Sequence, residues 1–270
     1  MSGQILGDRY QVEKQLGRQY GRWTLLAHDL VNGDAVILKL IFIDDELRSD
    51  DLKLFNREVE TLRSINHPAT PRYLGYFEID LPKDGKALAL VQSYIEGISI
   101  DKYLNKGRTF TEKEAKRIAK SVLKILTYLH NHEPPIIHRD IKPSNILFSN
   151  QSGKPRTQVC LVDFGSVKSI KMSNPASYTI VGTDGYMPPE QMGGRAVKGS
   201  DLYSLGTTLV TLVTGIESAD LPRRRGMIYF ETLDELSEPF ADWLSQMTQP
   251  DLHQRFDTAE EALSALRLIM

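Results

Sequence analysis

The stretch His138-Arg139-Asp140-Ile141-Lys142-Pro143-Ser144-Asn145-Ile146-Leu147 decides how the rest of the chain is read. Between Asp140 and Asn145 it sets a carboxylate, an ammonium and a carboxamide, and it then runs into an apolar segment. Moving a phosphoryl group onto a hydroxyl needs such groups close together. A carboxylate at Asp140 can accept the hydroxyl proton, Lys142 can neutralise the charge on the moving phosphoryl, and Asn145 can hold a metal ion.

Two further motifs follow: Asp163-Phe164-Gly165, and Pro188-Pro189-Glu190. In this order and spacing the three resemble the protein kinase family, and the resemblance runs from about Tyr10 to Arg267. It implies an α+β, bilobal protein-kinase-like fold, with a small β-rich N-lobe carrying one helix and a larger, mainly helical C-lobe. The expected organisation is an N-terminal extension over 1–9 and a catalytic domain over 10–267. The lobes are expected over about 10–94 and about 97–267.

Composition agrees with such a body. A chain of 270 residues with 41% hydrophobic content can build a real core. A formal net charge of −2 gives no reason to expect nucleic acid or an anionic membrane as partner. There is no apolar run long enough to span a bilayer. The first ten residues lack a signal-peptide core, and Ser2 excludes the myristoylation pattern. The single cysteine, Cys160, sits in the apolar run Val159-Cys160-Leu161-Val162 and reads as a buried, inert thiol. Its solitude suits a reducing compartment, so a cytoplasmic location is expected.

Strand-like runs cover Leu25 to Ala27 and Ala35 to Ile43, with the turn signal Asn32-Gly33 between them. Leu52, Phe55, Val59, Leu62 and Ile65 recur at helical spacing over 49–65. Two more strands are expected over Leu74 to Ile79 and Leu88 to Tyr94, separated by Pro82-Lys83-Asp84-Gly85. After a hinge at Ile95-Glu96-Gly97 the pattern turns helical. Thr111 and Glu114 form a capping box ahead of an apolar stripe from Ala115 to Leu129, and Leu202 to Val213 reads as a buried helix stopped by Gly215. Thr258 and Glu261 suggest a capped helix near the C-terminus.

The resemblance also assigns residues to roles. Asp140, Lys142 and Asn145 would be catalytic, with Asn145 and Asp163 holding Mg²⁺ against ATP. Lys39 would contact the nucleotide phosphates, held by a pairing with Glu58. Taken alone, either would read as a solvated surface charge. Thr24 and Ile37 would line the roof of the adenine pocket and Leu147 its floor. Backbone groups of Ser93 and Ile95 would bond the ring. Gln92 takes the gatekeeper position. His138 and Phe164 are expected to pack rather than react.

Departures from the family pattern centre on the phosphate-covering loop. Of its three glycines only Gly17 is in place. Gln19 and Arg22 hold the other two positions, with Gly21 one place early. That predicts a stiffer or more distant loop, or an Arg22 that reaches a phosphate itself. Ile37 is bulkier than the family's usual alanine and narrows the roof.

Arg139 is expected to meet a phosphate on the segment from Asp163 to Glu190, with Ser177 or Thr179 as the regulatory site, by autophosphorylation. Thr183 matches the threonine that contacts the catalytic Asp and Lys. Glu190 is expected to pair with Arg255, and Asp201 to brace the catalytic loop. Arg223-Arg224-Arg225 reads as a solvated face or a docking patch for acidic partners.

Lys142 and Thr183 resemble serine/threonine kinases, and details such as Ala27-His28-Asp29 resemble bacterial, particularly cyanobacterial, members. The expected function is transfer of the ATP γ-phosphoryl group to a Ser or Thr hydroxyl of a protein. The alternative is a pseudokinase scaffold that binds nucleotide weakly or not at all. A small-molecule phosphotransferase of the aminoglycoside-kinase type also uses an Asp and an Asn near a metal-binding Asp. The long activation segment and the Pro-Pro-Glu box argue against it.

Overall fold

The computed structural model describes residues 2–19, 21–43, 47–81, 85–150, 157–169, 182–229 and 236–270. Ser173, Ser177, Tyr178 and Thr179 lie outside the described residues. The chain forms two compact units, Met1–Ile95 and Glu96–Met270.

The first unit is an antiparallel sheet with one helix. Its strands are β1 (Ile5–Leu6), β2 (Tyr10–Gln19), β3 (Arg22–Asp29), β4 (Ala35–Ile43), β5 (Tyr73–Leu81) and β6 (Gly85–Ser93), ordered β1-β2-β3-β4-β6-β5. Helix α1 spans Ser49–Ser64. Alternation along the strands separates two faces. Val12, Leu25, Ala27, Val36, Leu38, Leu40, Ala89 and Val91 bury on one face, joined by Leu6 of β1. Gly17, Thr24 and Lys39 are directly opposed in the ladder, so they share the other face, and Ile37, two residues from Lys39, lies there too. The expected strands and α1 are present. The expected turn at Asn32-Gly33 is a longer loop, closed by Asp29 N–H to the carbonyl of Asp34 at 2.9 Å.

The second unit contains β7 (Ile98–Ser99), α2 (Ile100–Leu104), α3 (Glu112–His130), β8 (Ile136–Ile137), β9 (Ile146–Ser149), β10 (Gln158–Leu161) and β11 (Lys168–Ser169). It continues through α4 (Pro189–Met192), α5 (Lys198–Thr214), β12 (Arg223–Arg224), β13 (Met227–Ile228), α6 (Glu238–Met247) and α7 (Ala259–Leu268). Thr111 and Glu114 make the reciprocal capping box at the start of α3. Helix α5 is buried around its whole circumference from Gly199 to Leu212, which makes it the central post of this unit, and it ends in a left-handed Gly215. Helix α3 packs on α5 and α7, and Trp243 Nε1 of α6 donates to the Ala262 carbonyl of α7 at 3.0 Å. Cys160 is fully buried in β10. Among the described residues no helix is long and apolar enough to cross a membrane.

Candidate functional site

The loop between β8 and β9 carries the chemistry of the second unit, and Asp201 holds that loop in shape. Fully buried in α5, Asp201 accepts the main-chain N–H of His138 at 2.9 Å and of Arg139 at 2.8 Å. His130 Nε2, at the end of α3, meets the same carboxylate at 2.9 Å. The carbonyl of Arg139 accepts from Gln191 Nε2 at 2.7 Å. Fixed on both sides, Arg139 sits in the left-handed region at φ +68° immediately before Asp140. A non-glycine residue there costs energy that only a rigid surround can sustain.

Asp140 stands at the centre of a hydrogen-bonded group. Its Oδ1 accepts from Thr183 Oγ1 at 2.7 Å. Its Oδ2 accepts from Asn145 Nδ2 at 3.0 Å and from Lys142 Nζ at 3.0 Å. Lys142 Nζ also donates to Thr183 Oγ1 at 2.5 Å. Thus the four side chains singled out in the sequence lie together. Asn145 Nδ2 donates as well to the main-chain carbonyl of Asp140 at 2.8 Å. Asn145 therefore has its amide oxygen to offer a cation. The carbonyl of Asn145 accepts from Val162 N–H at 2.9 Å, which ties the loop to the residue before Asp163.

Asp163 has φ +64°, and its Oδ1 accepts from Gly165 N–H at 3.3 Å. A carboxylate and an amide oxygen form a donor pair suited to a hard cation such as Mg²⁺. Among the described residues no cluster of three or more His, Cys, Asp or Glu side chains could hold an ion. An ion here would need further oxygens from a ligand.

His138 is fully buried and packs edge-on against Phe164, with ring centroids 4.9 Å apart. Burial pushes its imidazole below the usual histidine range, so the ring is a neutral packing element. Leu147, half-buried in β9, pairs in register with Ser99 and Cys160.

Two arginines singled out in the sequence have partners in the structure. The Arg139 side chain is 3% exposed. Its Nε donates to the carbonyl of Ser166, and its Nη2 to that of Val167 at 3.1 Å. The guanidinium is thus engaged with main-chain oxygens of the segment after Asp163. Of the run Arg223-Arg224-Arg225, Arg223 is half-buried and donates to Tyr203 OH at 2.7 Å and to the carbonyl of Gly185 at 3.2 Å, while Arg224 and Arg225 are exposed. Arg224 stacks on the Tyr229 ring at 4.0 Å. Glu190 and Arg255 form the expected pair, with bonds of 2.7 and 2.9 Å.

In the first unit Lys39 Nζ donates to Glu58 Oε1 of α1. The pair is nearly buried, where the low dielectric strengthens the attraction between the charges while desolvation of each opposes it. Strands β2 and β3 stay paired up to Gln19 and Arg22, and Gly21 takes φ +66° at the hairpin tip. That conformation is the one a tight hairpin asks of glycine. Arg22 does not extend toward a ligand. Its Nη2 donates to the Asp51 carboxylate and carbonyl, each at 2.9 Å.

Ser93 exchanges two bonds with the Arg72 main chain. Its N–H donates to the carbonyl and its Oγ accepts from the N–H, each at 2.9 Å. The carbonyl of Ser93 plays no part in that exchange. Ile95 is half-buried at the end of the unit. Gln92 is 5% exposed, and its Oε1 has no hydrogen-bond partner among the described residues.

His130 and Gln191 position the catalytic loop without having been singled out in the sequence. The signal for His130 was available. It falls four residues after Leu126 on the apolar stripe of α3, where a buried imidazole needs a partner.

A family model described as a protein kinase domain matches residues 10–266. The chain is 36% identical to Serine/threonine-protein kinase B of Synechocystis, over 80% of this chain and 38% of that protein. It is 33% identical to Serine/threonine-protein kinase PknA of Nostoc, over 98% of this chain and 48% of that protein. With Serine/threonine-protein kinase PrkC of Bacillus subtilis the identity is 29%, over 79% and 31%. The chain therefore spans less than half the length of these curated relatives.

Proposed function

Because the chain belongs to the protein kinase family, we propose that it transfers the γ-phosphoryl group of ATP to a serine or threonine hydroxyl of a protein. The observation that carries the reading is the Asp140 carboxylate, held by Asn145, Lys142 and Thr183. In this reading the catalytic domain covers 10–267.

The acceptor oxygen forms its new bond to the γ-phosphorus as the bond to the β–γ bridging oxygen breaks. Its proton passes to Asp140, and ADP leaves. Lys142 neutralises charge on the transferred group, which in a loose transition state is most of what the protein must do. Lys39, fixed by Glu58, holds the phosphates in place, and Gly17 on the hairpin covers them. Asn145 and Asp163 would hold Mg²⁺, which when bound offsets negative charge on the phosphate oxygens. By the family resemblance, Thr24, Ile37 and Leu147 would contact adenine, and backbone groups of Ser93 and Ile95 would bond its edge.

A second reading, the pseudokinase scaffold, draws on the glycines missing from the hairpin and on Ile37, which is 8% exposed on the same sheet face as Lys39. The buried Lys39–Glu58 pair speaks for turnover instead.

The deciding experiment incubates the protein with Mg²⁺ and ATP and maps phosphosites by mass spectrometry, beside Asp140→Ala. Phosphoserine or phosphothreonine only in the unaltered protein supports the kinase. We propose Ser177 or Thr179 as the regulatory site, and active protein modified at neither would remove that assignment. Nucleotide binding without phosphate transfer, even to a generic acceptor protein, selects the scaffold.

A further inference from the structure

The outward face of α3 concentrates positive charge. Lys113, Arg117, Lys120 and Lys124 recur at spacings of four, three and four. At 3.6 residues per turn they fall within about 60° of one another around the axis, in a straight stripe about 16 Å long. Lys113, Arg117 and Lys124 are exposed, and Lys120 is half-buried. From Ala115 to His130 the helix contains no acidic residue.

Helix α7 borders the stripe and adds to it. The two helices run antiparallel. Asn131 Nδ2, just past the end of α3, donates to Glu260 at the start of α7. Lys116 Nζ, near the start of α3, donates to the carbonyl of Ile269 just past the end of α7 at 2.6 Å. Arg267 follows Glu260 by about two turns, so it lies on the same side of α7, beside the stripe, and it is exposed. The carboxylates that flank these cations are engaged elsewhere. Glu112 pairs with Lys116 at 2.6 Å and accepts from Ser237, and Glu114 pairs with Arg108 at 2.8 Å and accepts from Thr111. Among the described residues none of the five cations of the stripe and Arg267 has an ion pair.

Such an alignment works against the helix. Like charges three or four residues apart repel, and the stripe holds three such pairs in succession. A helix face exposed only to water commonly mixes both signs. An anion laid along the stripe turns the repulsion into attraction.

Three features select the anion. Ile118, Val122, Ile125 and Leu129, the apolar side of α3, are buried in the core, so the helix has no apolar face to set into a bilayer. No exposed aromatic ring stands among the cations to stack a nucleic-acid base. The whole chain carries a formal charge of −2, so a polyanion longer than the stripe gains nothing beyond it. A short run of carboxylates meets the cations alone. At about 3.3 Å per residue, an extended segment of about five residues covers the stripe.

We propose that this face of α3 docks a short segment of a partner protein rich in aspartate and glutamate. The proposal goes beyond the kinase reading and does not depend on it, since docking is read without ATP.

The test is fluorescence anisotropy at low salt, with a short labelled peptide alternating Glu and Ser beside a control with Gln in place of Glu. The Glu peptide should bind, the Gln peptide should not, and added salt should weaken the binding. Arg117→Glu with Lys120→Glu should raise the Kd about tenfold or more, the scale of two reversed ion pairs. Lys102→Glu with Lys106→Glu makes the same change of net charge at exposed residues outside the stripe, and should leave the Kd within about twofold. Arg117→Glu alone sets a carboxylate between Lys113 and Lys120. It should therefore unfold at a temperature no lower than the unaltered protein while holding the peptide more weakly, which separates lost docking from lost fold. Phosphatidylserine vesicles and a single-stranded oligonucleotide serve as rival anions. A Glu peptide that does not bind, a Kd unmoved by the stripe variant, or a Kd moved equally by both double variants overturns the proposal. So does stripe-dependent binding of the vesicles or the oligonucleotide that is tighter than that of the peptide.

Discussion

Arg22 Nη2 donates to both the carboxylate and the carbonyl oxygen of Asp51, each at 2.9 Å. Arg22 opens β3 just past the hairpin tip, and Asp51 lies in the first turn of α1, the helix that carries Glu58. The hairpin over the proposed phosphate site is thereby latched to the helix that fixes Lys39. Both side chains are about a third exposed, so the pair adds only about 0.5 kcal/mol to stability. Its effect is expected in motion instead. Arg22→Ala should speed amide hydrogen exchange in the first turn of α1 and raise the KM for ATP about two- to fivefold. High salt should reproduce the exchange effect in the unaltered protein. Unchanged exchange in the variant would show that the latch holds nothing.

Thr183 links Asp140 to Lys142 through one hydroxyl, as donor to the first and acceptor from the second. Thr183→Ala frees one oxygen of the proposed base and removes an acceptor from Lys142. A hydrogen bond to a charged group is worth about 1.5–3 kcal/mol, so kcat should fall about 10- to 100-fold. The KM for ATP should hold steady, and Thr183→Ser should recover most of the loss. Steady-state kinetics on the three proteins decides the matter. A serine variant as slow as the alanine one would shift the role to the threonine methyl.

What could be read from the sequence, and what could not, follows from how far each feature reaches along the chain. Strand β4 and helix α1 announce themselves by period alone, and Thr111 with Glu114 by a spacing of three. Strand β2 does not, because Tyr10–Gln19 is largely polar and exposed and owes its conformation to pairing with β3. The side chains of the catalytic loop were legible because the loop holds Asp140, Lys142 and Asn145 within six residues. Arg22 finds its partner 29 residues away, and no local pattern says whether a cation there meets Asp51 or a phosphate. Arg139 was readable as a cation near the segment after Asp163. Its burial on the carbonyls of Ser166 and Val167 was not.

Asp201 is the residue whose loss should cost the fold most. It is fully buried and serves three donors: His130 Nε2 and the main-chain N–H groups of His138 and Arg139. Asp201→Ala strands all three without solvent to replace the carboxylate. The expected loss is about 3–5 kcal/mol, seen as a lower urea midpoint at unchanged slope. Asp201→Asn keeps one acceptor oxygen and should lose about half as much. Equal losses in the two variants would mean that the negative charge, not the hydrogen bonds, holds the loop.

His138 makes stability depend on acid pH with a definite sign. Burial lowers its pKa, and the carboxylates of Asp201, Asp140 and Asp163 oppose that shift without overcoming it. Partial burial lowers the pKa of His67 as well. In the unfolded chain each histidine titrates near about 6.5. Between the folded and unfolded values the unfolded state binds more protons, so stability rises with pH there. It follows that stability is unaffected by these groups well above about pH 6.5 and falls as pH drops below it. Each histidine can contribute a slope approaching about 1.4 kcal/mol per pH unit. His138→Phe keeps an aromatic ring against Phe164 and cannot take up a proton, so urea midpoints measured across this range should flatten. His67→Asn should remove the share that His67 contributes. An acid-side loss that persists undiminished in His138→Phe would assign it to protonation of carboxylates, Asp29 among them, whose pKa is held down by its bond to Arg9.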